Sequence, residues 1–238
     1  MIFIHQDALI SSDWHILHRN IYWFLPKPRG IISGVKNPKQ LLYEQFLEAE
    51  ENTYQKILAL IQQLVESRKI HQFIFLGDLV FGFNKPKEVN QKIQILTQKL
   101  PVFFEIFQFL ENQGIKRSLI LGNHDDFKLK NAKAKSLYNL LFDEIGLFIR
   151  DNNYLYTHFP LGYSDANDKS RGTPFEKYYR MNKIFYKLDK QLLKELGHTH
   201  ITNFHGHIHA QPFLHPIENV SYQNVAIDVL CNESVVLD

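Results

Sequence analysis

The chain has 238 residues, of which 45% are hydrophobic and 22% charged; this suffices for one large core and excludes a disordered chain. A formal net charge of +2 is too small to imply a nucleic-acid or membrane-surface partner by itself. One cysteine, Cys231, excludes an internal disulfide, no apolar run approaches the roughly 18 residues of a membrane helix, and the start of the chain lacks the basic lead of a secretory signal, so a cytoplasmic protein is expected.

Taken in chain order, 8–12 is a short apolar run that hands over to a loop, and the proline- and glycine-rich stretch 21–38 reads as irregular. Apolar residues at helical spacing predict a helix over 41–67. The run 72–76 is a strand that stops at Gly77-Asp78. A second helical stretch covers much of 88–112, broken at Pro101 and stopped by Gly114. The run 118–121 is a strand ending at Gly122-Asn123, and 154–157 is one ending at His158. Helix is expected over 175–196, closed by Gly197, then a strand over 201–204, with final strands at 225–227 and 235–237. Interleaved strands and helices indicate an α/β fold. No internal repeat or linker divides the chain, so 1–238 reads as one domain, with 162–198 as a substrate-cap segment.

The same event recurs along the chain: an apolar strand ends, and Gly, Asp, Asn or His follows at once. The segments are Asp13-Trp14-His15, Gly77-Asp78, Gly122-Asn123-His124-Asp125, His158, and Gly206-His207-Ile208-His209. In open α/β sheets, ligands gather beyond the carboxyl ends of strands, so these segments can converge. Asp supplies a carboxylate that can bridge two cations, His an imidazole nitrogen, and Asn a carbonyl oxygen without charge. That mixture suits Mn, Fe, Zn or Ni. In extended backbone, residues two apart point to the same side, so Asp13 with His15, and His207 with His209, can each aim two groups at one centre.

The order D-x-H, G-D, G-N-H-D, H, G-H-x-H resembles that of the calcineurin-like metallophosphoesterase superfamily. The start, Ser12-Asp13-Trp14-His15 followed by His18, Arg19, Asn20 and Ile21, and the segment Asn224-Val225-Ala226-Ile227-Asp228-Val229 resemble a small bacterial and phage branch of it. The resemblance implies a four-layer α-β-β-α sandwich, with two mixed sheets flanked by helices and the metal site at the C-terminal ends of strands. It implies two divalent metal ions: one held by Asp13, His15 and His209, the other by Asn123, His158 and His207, with Asp78 between them. His124 would sit beside the substrate phosphate as acid or charge stabiliser, with Asp125 orienting its ring. His18 and Asn123 are further candidate substrate contacts. Two positions depart from the pattern: Leu79-Val80-Phe81 follows Gly77-Asp78, and Leu17 stands where the branch has glycine.

A metallophosphoesterase acting on a phosphorylated small molecule or a nucleotide is therefore expected. A nuclease or RNA-processing enzyme is a special case, motivated by the basic and aromatic segment Lys169, Arg171, Phe175, Lys177, Tyr178, Tyr179, Arg180, Lys183, Phe185, Tyr186 and Lys187, whose helical spacing fits core aromatics better. A non-catalytic scaffold would lack ligands, and here none is missing. Lys128, Lys130, Lys133 and Lys135 read as a solvated helix face. His5, His71, His198, His200, His205 and His215 read as structural, as do Cys231 and Trp14. The sequence says nothing of oligomeric state.

Overall fold

The computed structural model describes residues 2–125, 130–162, 183–209 and 216–230. A first sheet has the spatial order β1 (Phe3–His5), β2 (Ala8–Ser11), β3 (Gln72–Phe75), β4 (Lys116–Ile120), β5 (Glu144–Gly146). Only the β1–β2 hairpin is antiparallel; the other neighbours run parallel. A second sheet has the order β6 (Phe148–Asp151), β7 (Tyr154–Thr157), β8 (Ile201–His205), β9 (Val220–Asn224), with β6–β7 antiparallel and the rest parallel.

Side-chain alternation explains the layering. Leu9, Phe73, Phe75 and Leu119 point to the outer face of the first sheet. There they meet α3 (Tyr43–Ser67), α5 (Pro101–Asn112) and α6 (Ala132–Leu141) through Tyr54, Ile57, Ile61, Phe103, Phe107 and Tyr138. The intervening Ala8, Ile10, Ile74, Leu76 and Ile120 point the other way and pack on Tyr156 and Phe204 of the second sheet. Leu155 and Ile201 on the far side of that sheet meet Leu192 and Leu196 of α7 (Lys183–Leu196). Strands buried on both faces read as continuous apolar runs, which is why 72–76 was visible as one block. The result is two mixed sheets face to face, flanked by helices: the expected α/β sandwich.

Several elements differ from expectation. The stretch 21–38 is largely helical: α1 (Ile21–Phe24), α2 (Pro26–Ser33) and a 3-10 turn, Pro38–Gln40. Pro26, Pro28 and Pro38 lie in first turns, where a missing N–H costs nothing, and Gly34 closes α2 at φ 78°. The break at Pro101 separates α4 (Pro86–Lys99) from α5, as expected. The strand placed at 225–227 belongs earlier, as β9; Ile227–Leu230 is a helical turn, α8. At the end of the segment expected as a cap, α7 packs its apolar face against Leu155 and Ile201 of the second sheet and against Leu161. Residues 163–182 and the expected strand 235–237 lie outside the described residues, as do Lys128, His215 and Cys231. Lys133 and Lys135 are exposed on α6. Trp14 is fully buried among Tyr54, Phe73, Phe75 and Phe107. No described helix is long and apolar enough to cross a membrane.

Candidate metal centre

Five strand ends converge. Asp13 and His15 follow β2, Asp78 follows β3, Asn123 and His124 follow β4, His158 follows β7, and His207 and His209 follow β8. The first two loops are zipped by backbone bonds, Asp13 N–H to Gly77 O at 3.0 Å and His15 N–H to Asp78 O at 2.9 Å. Gly206 N–H donates to His158 O at 3.0 Å, so the two loops of the second sheet are joined as well. The seven residues expected as ligands are thus brought together.

Their donor atoms form two groups, with the Asp78 carboxylate reaching from one toward the other. Asp13, His15 and His209 offer atoms within 4.8 Å of one another, and so do Asp78, His158 and His207. Asp78 Oδ2 faces both sides, 3.7 Å from His15 Nε2 and 3.5 Å from His158 Nε2. Asn123 Oδ1 lies 3.0 Å from His158 Nε2. Two donors bonded at about 2.1 Å to one ion stand roughly 3.0–3.5 Å apart at octahedral to tetrahedral angles, so the 3.0 and 3.5 Å separations fit a cation between the donors and the 3.7 Å separation is slightly wider. His15, Asp78 and His124 form a third such group, which places His124 at the same centre.

The electrostatics favour positive charge. Asp13 and Asp78 are buried, and among the described residues neither carboxylate pairs with lysine or arginine. Asp13 Oδ1 and both ring nitrogens of His15 are buried without a hydrogen-bond partner. Buried charge needs a counter-charge. Burial alone would raise both carboxyls, yet His15, His209 and His158 around Asp13, and His158 and His124 around Asp78, hold them below the usual range. Burial opposes charge on His158, but Asp78 lifts it to about 9. Burial pushes His207 well down and His124 to about 4. A divalent cation meets the orphaned donors and the carboxylate charge together, so the residues fit the expected cofactor.

The backbone is shaped for this. Asp13, His15, Asp78, His207 and His209 have φ of 58°, 50°, 57°, 66° and 48°, a left-handed region that non-glycine residues seldom occupy. Gly77 has φ 88°, but Gly122 and Gly206 do not need positive φ; they need room. A Cβ on Gly122 would strike the Asp78 carboxylate, and one on Gly206 the Asp13 carboxylate. Leu17, where glycine was expected, also sits at φ 63° and is held by its N–H bond to Glu50 Oε2 at 2.9 Å.

Asp125 departs from its expected role. Its Oδ2 accepts from the N–H of Asp78 and of Gly122, both at 2.8 Å, and its Oδ1 from Leu79 N–H at 3.3 Å and the Tyr138 hydroxyl at 3.0 Å. It is fully buried. Its carboxylate therefore ties the loop of Asp78 to that of Asn123, instead of orienting the His124 ring. His124 is placed by its backbone, whose N–H donates to Asp78 Oδ1 at 2.7 Å. His18 borders the centre, its ring 5.5 Å from His15 and 6.4 Å from His124, stacked flat on Phe81 at 3.5 Å. Phe81 also lies 4.7 Å from His124. His205 is buried and bonded to Gly206 O, a structural histidine.

Two residues at the centre were not anticipated. Arg29 in α2 and Asp228 in α8 are buried and paired, Nε to Oδ1 at 2.7 Å, and Asp228 Oδ2 meets His209 Nδ1 at 2.8 Å. The one sequence signal was the position of Asp228 in the segment 224–229; an arginine in a proline-rich stretch gave none.

The strand ends of the two facing sheets thus carry side-chain groups that could hold metal ions. The family profile of calcineurin-like phosphoesterases matches residues 8–230, and the chain belongs to that family. No curated protein matches the chain significantly. Among solved structures, it is similar to the nuclease MPE of Pseudomonas putida, with 15% identity and a TM-score of 0.40. That alignment covers 85% of this chain and 62% of the nuclease. A likeness this distant bears on neither substrate nor mechanism.

Proposed function

We propose that the chain hydrolyses a phosphate ester, as a monoesterase or a diesterase, at a pair of divalent cations. The carrying observation is the position of Asp78 Oδ2 between His15 and His158, which makes one carboxylate common to two donor groups. Asp13, His15 and His209 would hold one ion, and Asn123, His158 and His207 the other, with Asp78 shared. The mixed oxygen and nitrogen donors suit Mn, Fe, Zn or Ni. When bound, such a pair supplies Lewis acidity to the phosphoryl oxygens and activates water as the nucleophile.

The chain's own groups do the rest. His124, fixed by its N–H bond to Asp78, offers an imidazole to a phosphoryl or leaving-group oxygen. His18, clamped on Phe81, would add a second imidazole at the rim. Asn84 donates from Nδ2 to Asn123 O at 2.7 Å and from its N–H to His124 O at 3.1 Å, which fixes the loop that carries both. The substrate proposed is a phosphorylated small molecule or nucleotide. A nuclease is the narrower alternative; of its basic segment only the end is described, and there Phe185 is packed inward against Phe159.

The test is a panel of phosphomonoesters, phosphodiesters and oligonucleotides, run with Mn, Ni, Zn and Mg in parallel. Hydrolysis should require metal. His124→Ala should lower turnover by about 10²–10⁴-fold while metal content is retained. A metal-loaded protein that cleaves nothing in the panel would sink the proposal. Steep weakening of oligonucleotide binding with salt would favour the nuclease reading.

A further inference from the structure

The two donor groups differ in what stands behind them. Behind Asp13, His15 and His209 lies one buried guanidinium. Arg29 Nη1 donates to Trp14 O at 2.9 Å and Nη2 to Asp13 O at 3.0 Å, so the fork grips the backbone of the first motif between its two ligands. The same guanidinium holds Asp228 through Nε at 2.7 Å and Nη2 at 3.4 Å. Asp228 in turn takes His209 Nδ1 at 2.8 Å, which leaves Nε2 as the nitrogen free to face an ion. The backbone repeats the link: Ile227 N–H donates to Ser12 O at 3.0 Å, and Asn224 Nδ2 donates to His209 O at 2.6 Å. Among the described residues, neither Arg29 nor Asp228 makes a hydrogen bond or salt bridge to Asp78, Asn123, His158 or His207.

From this geometry we infer that Arg29 and Asp228 are positioning residues for one half of the metal centre: they set the affinity of the Asp13, His15 and His209 group and leave the other group's own donors untouched. The inference rests on the metal-dependent reading above. Neither residue touches substrate. Arg29 fixes the turn that presents Asp13 and His15, and Asp228 fixes the tautomer and aim of His209.

The chemistry dictates the probe. Asp228→Asn keeps size and one acceptor oxygen, but sets an amide N–H₂ against either the Arg29 Nε–H or the His209 Nδ1–H, two donors face to face. The intact chain and this variant are titrated with Mn(II) alone, with bound ions followed by equilibrium dialysis and electron paramagnetic resonance. The intact chain should take two ions and show a spin-coupled signal. Asp228→Asn should keep one affinity nearly unchanged and weaken the other about 10–100-fold, so isolated Mn(II) dominates at intermediate metal. Arg29→Lys, which keeps charge but loses the fork, should do the same to a smaller degree. Unchanged affinities, or equal weakening of both ions, would overturn the inference. A measurement on the intact chain guards against variants that fail to fold. In the ¹⁵N spectrum of the metal-loaded protein, His209 should be the Nδ1–H tautomer with a slowly exchanging proton; an Nε2–H tautomer overturns the assignment. If the intact chain binds no Mn(II), both this inference and the metal-dependent reading fail. If it binds two ions and the variants behave like it, only this inference fails.

Discussion

The two halves of the candidate metal centre solve one problem by different means. The half built on Asp78, Asn123 and His158 leans on backbone. Adjacent strands β3 and β4 end side by side, Asp125 gathers the amides of Asp78, Leu79 and Gly122, and His158 Nδ1 meets Leu76 O at 2.7 Å. The half built on Asp13, His15 and His209 leans on buried charged side chains brought in from far along the chain: Arg29, Asp228, and Glu50, whose Oε1 accepts from Tyr22 and Oε2 from Leu17 N–H. A ligand beside its neighbour in a sheet needs only close approach. A ligand at the edge of two sheets needs a strut.

Asp78 belongs to both halves, so its loss should erase the contrast. Asp78→Asn keeps an acceptor for His124 N–H but removes the shared charge. Both ions should weaken and turnover should fall by on the order of 10³-fold or more, read by metal content and steady-state rates. Gly122→Ala attacks the backbone-built half and the Asp78 carboxylate that it shares. Its Cβ meets the Asp78 carboxylate and lies 2.9 Å from His158 Cε1, so stability should drop by about 1–3 kcal/mol in chemical denaturation, with weaker metal retention. A stable, fully loaded Gly122→Ala protein would show that this half tolerates movement.

The strut-built half should reveal itself through pH. Burial lifts Glu50 to about 7 against an ordinary 4.5. Below pH 4.5 both folded and unfolded chains keep this proton; between 4.5 and 7 the unfolded chain releases it first. The contribution is therefore complete at low pH and lost as pH rises through that window, by at most about 3 kcal/mol. Glu50→Gln should remove this part of the slope, seen as a pH-dependent difference from the unaltered chain; parallel profiles would count against it. The smallest effect is expected at Tyr138→Phe, which removes one donor to Asp125 and should cost about 1 kcal/mol without altering metal stoichiometry.

Legibility in the sequence followed the same division. Strands 72–76, 118–121 and 154–157 announced themselves because both faces are buried, and the donors stood directly at their ends. The half that was obscure depends on contacts between distant segments. Arg29 looked like a loop residue because prolines mark helix starts and loops alike, and Asp228 lay just past a run, 225–227, that read as strand. The role expected for Asp125 came from the resemblance alone, whereas the turn sends its carboxylate back under the loop toward Asp78 N–H. Leu17 shows the opposite case. The glycine of the pattern is missing there, yet the backbone kept the left-handed turn at φ 63° and Glu50 caps its amide.

The salt bridge between Arg29 and Asp228 also sets an order of events. Its partners are 199 positions apart, and closing so long a loop costs about 5 kcal/mol in chain entropy beyond the constant for any closure. Nothing local repays that cost early, so contacts of such separation form late in folding. During synthesis Asp78 and Asn123 emerge long before Asp228 leaves the ribosome. The nascent chain thus carries a half-built basket, and the grip on Asp13 waits for α8.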